Sequence, residues 1–295
     1  MENVTLQCNK ISTRKTIIAA LASMAILIFA QTAAELLASL LVVLSVPEGA
    51  CNIVAGVLYL LIAYVMLRFF VKKIIKYPMN DMGMPKFRVK IKYIVVALIL
   101  PVTVMATYLL FFGGHYVVQD ISKSHAFEIL GAGIFFTGIA CGFVEEMVFR
   151  GVILNLIKKR WNDKIAVIVP SVLFGVVHIL GMNYSIASCL LVIVAGTMVG
   201  IMFSVIAIES GSVWNSAIVH VIWNIVIIGG GLSVSEKPQE DALMTYVLDN
   251  KSFAFTGGEF GIESSVIAVI GYIIVIGVVC ATASCVRAKK LRARI

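Results

Sequence analysis

The stretch from Thr16 to Val46 carries a single charged side chain, Glu35, and seven further apolar runs follow it: Ala50 to Val71, Tyr93 to Phe112, Ile129 to Ile157, Ile165 to Leu180, Ile186 to Ile208, Val213 to Ile228 and Val266 to Cys285. A bilayer admits such runs as helices, because a helix of about 20 residues satisfies its own backbone polar groups across the hydrocarbon. The expectation is an all-α, polytopic membrane protein with about eight transmembrane helices, of which the fifth and seventh are short. Composition agrees, with 60% hydrophobic and 14% charged residues against roughly 25% charged in soluble domains. The first run is far longer than the roughly 7 to 15 residues of a signal-peptide core, so it reads as a retained span.

The net charge is +8, and its distribution follows the bilayer rather than a nucleic-acid surface. With the N-terminus inside, 20 of the 24 Lys and Arg fall on the cytoplasmic side: Lys10, Arg14, Lys15, those from Arg68 to Lys92, those from Lys158 to Lys164, and the tail from Arg287 to Arg294. Lys123, Lys237 and Lys251 lie outside, and Arg150 lies in the membrane. This asymmetry places both termini in the cytoplasm. Cys8, Cys51, Cys141, Cys189, Cys280 and Cys285 show no C-x-x-C spacing, so they read as small apolar residues.

Three sections follow from the pattern: 1–125 with the first three spans and a basic cytoplasmic loop, 126–230 as a core, and 231–295 with an external acidic loop, the last span and a basic tail. The basic loop from Lys72 to Lys92 either rests on the anionic cytoplasmic leaflet or is solvated. The 229–263 segment carries Glu236, Glu240, Asp241, Asp249, Glu259 and Glu263, and is placed to cap a site or contact a partner. Gly196-x-x-x-Gly200 lets two helices approach closely. Glu35, Glu128 and Glu209 read as interfacial.

Ionisable residues inside the apolar runs are the functional candidates, since a charge at mid-bilayer costs roughly 2.5 to 3.5 kcal/mol on insertion scales. Gly142 to Arg150 reads GFVEEMVFR. Glu146 and Arg150 are four apart with the acid first, the favourable order for an ion pair on one helix face. Glu145 points about 100° away and is left free. His178 and His220 also fall within spans, and Asn224 stacks one turn after His220. At about 1.5 Å per residue, Glu145 lies about 20 Å from Lys158, His178 about 21 Å from Lys164, and His220 and Asn224 about 12 and 18 Å from Ser212, so all four reach neighbouring levels of one bundle. A carboxylate in a poorly solvated pocket serves as a base for water. His178 orients that water or shuttles its proton, and His220 with Asn224 forms a pair of oxyanion donors.

EEMVFR at Glu145 to Arg150, FGVVH at Phe174 to His178 and HVIWN at His220 to Asn224, in that order, resemble the three motifs of the CPBP intramembrane proteases. That family joins the CAAX prenyl endoproteases with bacteriocin-processing and bacteriocin-immunity (Abi) proteins. The resemblance implies an eight-helix fold with a site opening to the membrane or cytoplasm, in a prokaryotic plasma membrane. It implies Glu145 as catalytic base, His178 as its partner, His220 and Asn224 as oxyanion stabilisers, and Glu146 and Arg150 as supporting residues. Glu145, His178 and His220 would also make a zinc ligand set with one open position; the family's architecture favours a metal-independent, glutamate-dependent mechanism with no cofactor. The expected partners are a peptide or membrane-protein substrate and the lipid bilayer. A peptide-maturation or bacteriocin-immunity accessory role on the same scaffold is the alternative, and a proton-coupled transporter is a third reading that lacks the internal repeat many transporters show.

The charge distribution makes a direct prediction. In intact cells, tags at residues 1 and 295 are expected to resist added protease while one inserted at Gln239 is cut; the reverse pattern would overturn the assigned orientation.

Overall fold

The computed structural model describes residues 11–249 and 251–292, with side chains as far as Ser284. Cys8 and Lys10 lie outside the described residues, as do the side chains of Cys285 and of the basic tail from Arg287 to Arg294. Among the described residues eight long helices form a bundle: α1 (Thr13–Val43), α2 (Glu48–Phe69), α3 (Ile91–Phe111), α4 (Lys123–Arg160), α5 (Asp163–Val177), α6 (Ile186–Ser210), α7 (Val213–Ile227) and α8 (Val266–Arg292). Six of these, all but α5 and α7, are long and apolar enough to cross a membrane. At 15 residues each, α5 and α7 are about 22 Å long, short of the roughly 30 Å hydrocarbon core. α7 is buried along most of its length, whereas α5 keeps an exposed apolar face at Ile168, Val169 and Val172.

The bundle is packed through small residues, as lipid supplies no hydrophobic drive between helices. In α1 the buried positions include Ala19, Ala30, Ala34 and Ala38, while Ile17, Leu21, Ile28 and Leu36 point outward. α5 and α6 approach closely. A Cβ added at Gly175 would stand 2.6 Å from the Ile193 carbonyl oxygen, and one at Gly196 would stand 2.7 Å from the Gly175 Cα. Gly196-x-x-x-Gly200 thus packs on α5 as its spacing predicts.

α4 has 38 residues. It is not a uniform α-helix, since its turns widen to i→i+5 bonding over Gly131–Cys141 and again over Met147–Ile153. Widening frees carbonyls from the regular ladder, and Asn155 supplies them with a donor: its Nδ2 hydrogen-bonds the carbonyls of Arg150 and Gly151 at 3.0 and 2.8 Å. Widened turns of this kind concentrate at functional sites, and these two flank Glu145 and Glu146.

The connections at the two ends differ. The basic 72–92 loop is not free in solvent along its whole length, because Met79, Met82 and Met84 are buried and its backbone caps α7. Gly83 O accepts from the Val213 N–H (2.9 Å), Pro85 O from the Trp214 indole (2.7 Å), and Asn215 Oδ1 from the Lys90 N–H (2.8 Å). At the opposite end the long acidic segment is structured. Strand β1 (Gly114–Val118), after α3, pairs antiparallel with β3 (Met244–Leu248), and β2 (Leu232–Ser235) pairs parallel with β3, giving the order β1-β3-β2. This sheet joins two loops that are far apart in sequence over one mouth of the bundle.

The α5–α6 contact carries a testable consequence. Gly175→Leu or Gly196→Leu is expected to lower stability by about 1 to 3 kcal/mol through forced separation of backbones, while Gly277→Ala, which faces open space, is expected to be neutral. Thermal unfolding of the purified variants measures both, and equal effects would contradict the packing described.

Candidate active site

The three helices that carry the sequence motifs converge on one cavity of about 200 Å³, lined by Glu145, His178, His220 and Asn224 together with Thr137, Cys141 and Phe203. Close approach of α4 to α7 makes this possible: a Cβ at Gly142 would lie 3.0 Å from the Val221 backbone nitrogen. The carboxylates of the next turn of α4 then reach the imidazole of α7.

Glu146 is the anchor of the arrangement. Its Oε1 accepts from Arg150 Nη1 at 2.8 Å and lies 3.3 Å from His220 Nδ1, with Glu146 and Arg150 both 0% exposed. The sequence pairing of Glu146 with Arg150 is present, and a second contact, to His220, accompanies it. Arg150 Nε and Nη2 have no hydrogen-bond acceptor among the described residues. They sit instead among aromatic faces, with the guanidinium carbon 4.3, 5.2 and 5.8 Å from the ring centres of Phe174, Phe203 and Phe149. Desolvated cation–π contacts of this kind offset part of the missing hydrogen bonding.

Glu145 is held differently. Its side chain is 21% exposed, and its Oε2 lies 3.8 Å from His220 Nε2, too far for a hydrogen bond. It faces the cavity without a fixed partner, as its position 100° round the helix from Glu146 requires. His220 is locked by stacking on Phe203, ring centres 4.6 Å apart and planes 21° from parallel. Asn224 Nδ2 donates to the Thr137 carbonyl at 2.9 Å, which leaves its second amide N–H uncommitted.

His178 is the C-cap of α5 rather than a residue within it. Its Nδ1 lies 2.6 Å from the Phe174 carbonyl. A carbonyl only accepts, so Nδ1 bears the proton and Nε2 is the lone-pair nitrogen in the neutral ring. Among the described residues no three His, Cys, Asp or Glu side chains are grouped as a metal ion requires. Among the described residues His178 does not group with Glu145 and His220 as a third ligand.

Two features were not legible in the motifs. Phe260, Glu263 and Ser264, from the segment before α8, also line the cavity; an acid three residues ahead of an apolar run is the only signal the sequence offers. The second is what adjoins the cavity. Among the described residues none from the basic 68–92 or 158–164 segments lines the cavity, whereas Ile228, Phe260 and Glu263 are shared with a second cavity of about 490 Å³ beneath the sheet. The site thus borders the face opposite the basic loops, because α5 and α7 are short and end at that side.

A family model described as type II CAAX prenyl endopeptidase Rce1-like matches residues 125–226, about a third of the chain. Residues 125–226 are similar to the CAAX-protease family. The match runs from α4 to the end of α7 and so contains all three motifs. The family points to a CAAX-type intramembrane protease, with a peptide substrate and a membrane setting. No curated protein and no solved structure matches the chain. Glu263, Phe260 and all of α8 lie outside the CAAX-protease segment, so part of the cavity wall is contributed by chain that the family model does not cover.

Arg150→Ala is expected to cost about 3 to 5 kcal/mol by leaving Glu146 buried and unpaired, seen as low abundance and early thermal unfolding. Adding Glu146→Gln to Arg150→Met should recover much of the loss left by Arg150→Met alone, because the unpaired charge is the source of the cost. Additive losses would contradict this.

Proposed function

We propose that the protein is an intramembrane endopeptidase that hydrolyses a peptide bond of a peptide or membrane-tethered substrate with water activated by Glu145. What supports this is one observation: a carboxylate without a fixed partner, a lone-pair imidazole nitrogen and two nitrogen donors, drawn from three motifs, face a single cavity.

Each side chain has a role that its surroundings permit. Glu145 takes a proton from water as the oxygen attacks the carbonyl carbon, and His178 Nε2 accepts the second O–H and aims the water. When His220 bears both ring protons, Nδ1–H donates to Glu146 and Nε2–H is available to the developing oxyanion beside the free N–H of Asn224. In that state Glu145, Glu146, Arg150 and His220 sum to zero charge, which a buried cluster requires. Preorganised donors of this kind are worth about 2.7 to 4 kcal/mol each in the transition state. No step uses a metal ion.

Glu145→Gln keeps size and removes the base, so peptide processing is expected to stop at normal abundance. Asn224→Ala is expected to lower turnover about 10²- to 10³-fold with little change in binding, and activity is expected to survive exhaustive chelation. Full activity of purified Glu145→Gln, or stoichiometric zinc whose removal and return switch activity off and on, would refute this reading.

A further inference from the structure

Glu263 reaches the cavity on a single helical turn, Ile262–Ser264, just ahead of α8. That turn is fixed from several sides. Ser264 Oγ donates to the carbonyls of Gly257 (2.6 Å) and Gly261 (3.0 Å), and the Tyr272 hydroxyl donates to the Glu263 carbonyl at 2.9 Å. With Ile228 and Phe260, Glu263 lines both the cavity that holds Glu145 and the larger one beneath the sheet, whose wall carries Ser185, Gln239 and Glu259. It is the one carboxylic acid among the described lining residues common to the two.

We propose that Glu263 is a further catalytic residue: it donates the proton that the leaving amine needs, and regains one from the cavity beneath the sheet. This rests on the hydrolysis proposed above. In that reaction water gives one proton to Glu145 and its oxygen to the carbonyl carbon. The C–N bond then breaks, its electron pair goes to nitrogen, and nitrogen takes the Glu263 proton. A carboxylic acid and a neutral amine result, with Glu145 protonated and Glu263 ionised; one proton lost by Glu145 and one gained by Glu263 restore the site.

Charge balance favours this division of labour. Arg150 is committed to Glu146, so Glu263 shares its inner cavity with Glu145 and with no lysine or arginine. Burial first, and the Glu145 charge second, push the Glu263 carboxyl up to about 8, against an opposing hydrogen bond from Trp223. A carboxyl that keeps its proton beside a carboxylate that takes one provides an acid and a base in one cavity. The titratable groups in and around the two cavities beside Glu263 are Cys141 and Glu145 of α4, His178, His220 of α7 and Tyr272 of α8, with Tyr184, Glu236, Lys237, Asp241 and Glu259 towards the outer cavity. Lys237 is the one fixed cation among these, and the charge that acts on Glu263 is that of Glu145.

The test compares wild type, Glu263→Gln, Glu263→Asp and Glu145→Gln of the full chain on a peptide whose processing requires Glu145, and on the same peptide with a thioester at the scissile bond. A thiolate leaves without a proton, so Glu263→Gln is expected to slow amide cleavage about 10²- to 10⁴-fold and thioester cleavage only a few-fold. The wild-type loss of amide cleavage as pH rises through about 8 should vanish in Glu263→Gln and persist at lower rate in Glu263→Asp. Independently of any substrate, the infrared difference between wild type and Glu263→Gln should show a protonated carboxyl band at neutral pH that disappears above about 8. Absence of that band, or equal loss on amide and thioester, overturns the proposal. Amide cleavage that survives Glu145→Gln would instead overturn the hydrolytic reading while leaving the infrared result standing.

Discussion

A carboxylate and a guanidinium with no exposure at all, Glu146 and Arg150, set the terms for the rest of this structure. Neither is tolerable alone in a low-dielectric interior, and even as a pair they require enclosure and further partners. The enclosure is aromatic and comes from three helices: Phe149 of α4, Phe174 of α5 and Phe203 of α6 surround the guanidinium. The further partner is His220 of α7. One buried ion pair thereby fixes the relative positions of four helices, and those four carry or line the cavity. Glu145, adjacent in sequence but rotated away from the pair, is what this arrangement leaves available for chemistry.

Helix length does the rest. α5 and α7 are too short to cross the hydrocarbon, and each ends near a residue of the candidate site: α5 at His178, and α7 one turn beyond Asn224. The space beyond these ends is filled by the segment before α8, which is tied to the start of α6 by the Ser185 N–H bond to Glu259 Oε2 at 2.7 Å. Irregular backbone at such depth is tolerated where it lines a cavity. The sheet of β1, β2 and β3 then covers that mouth, and the polar cavity beneath it adjoins the reactive one.

Much of this could be read from the residues, and the parts that could not have physical reasons. The apolar runs fall on α1 to α8, six of them long enough to span the hydrocarbon and the short α5 and α7 packed against them. The Glu146–Arg150 pair and the α5–α6 approach at Gly196 depend on spacing along single helices, which sequence displays directly. The contact of Glu146 with His220 crosses 74 positions and depends on where α7 is anchored by the Gly83–Lys90 loop, which no local pattern reveals. Glu263 resembled the other acids of a polar loop because its burial is created by the fold of that loop. The widened turns of α4 have no compositional mark, since Gly131 to Cys141 reads as an ordinary apolar helix. The opening away from the basic loops follows from helix ends that differ from the apolar limits by only a few residues.

The central claim is that Glu145 acts on water and not on the substrate itself. A single turnover in heavy-oxygen water, with mass spectrometry of both the product and the Glu145-containing peptide of the enzyme, tests it most directly. The account predicts heavy oxygen in the newly formed carboxyl of the product and none in the Glu145 side chain. Label in the Glu145 carboxylate, with unlabelled product in the first turnover, would mean that the glutamate attacked the carbonyl and formed an anhydride, contradicting the account.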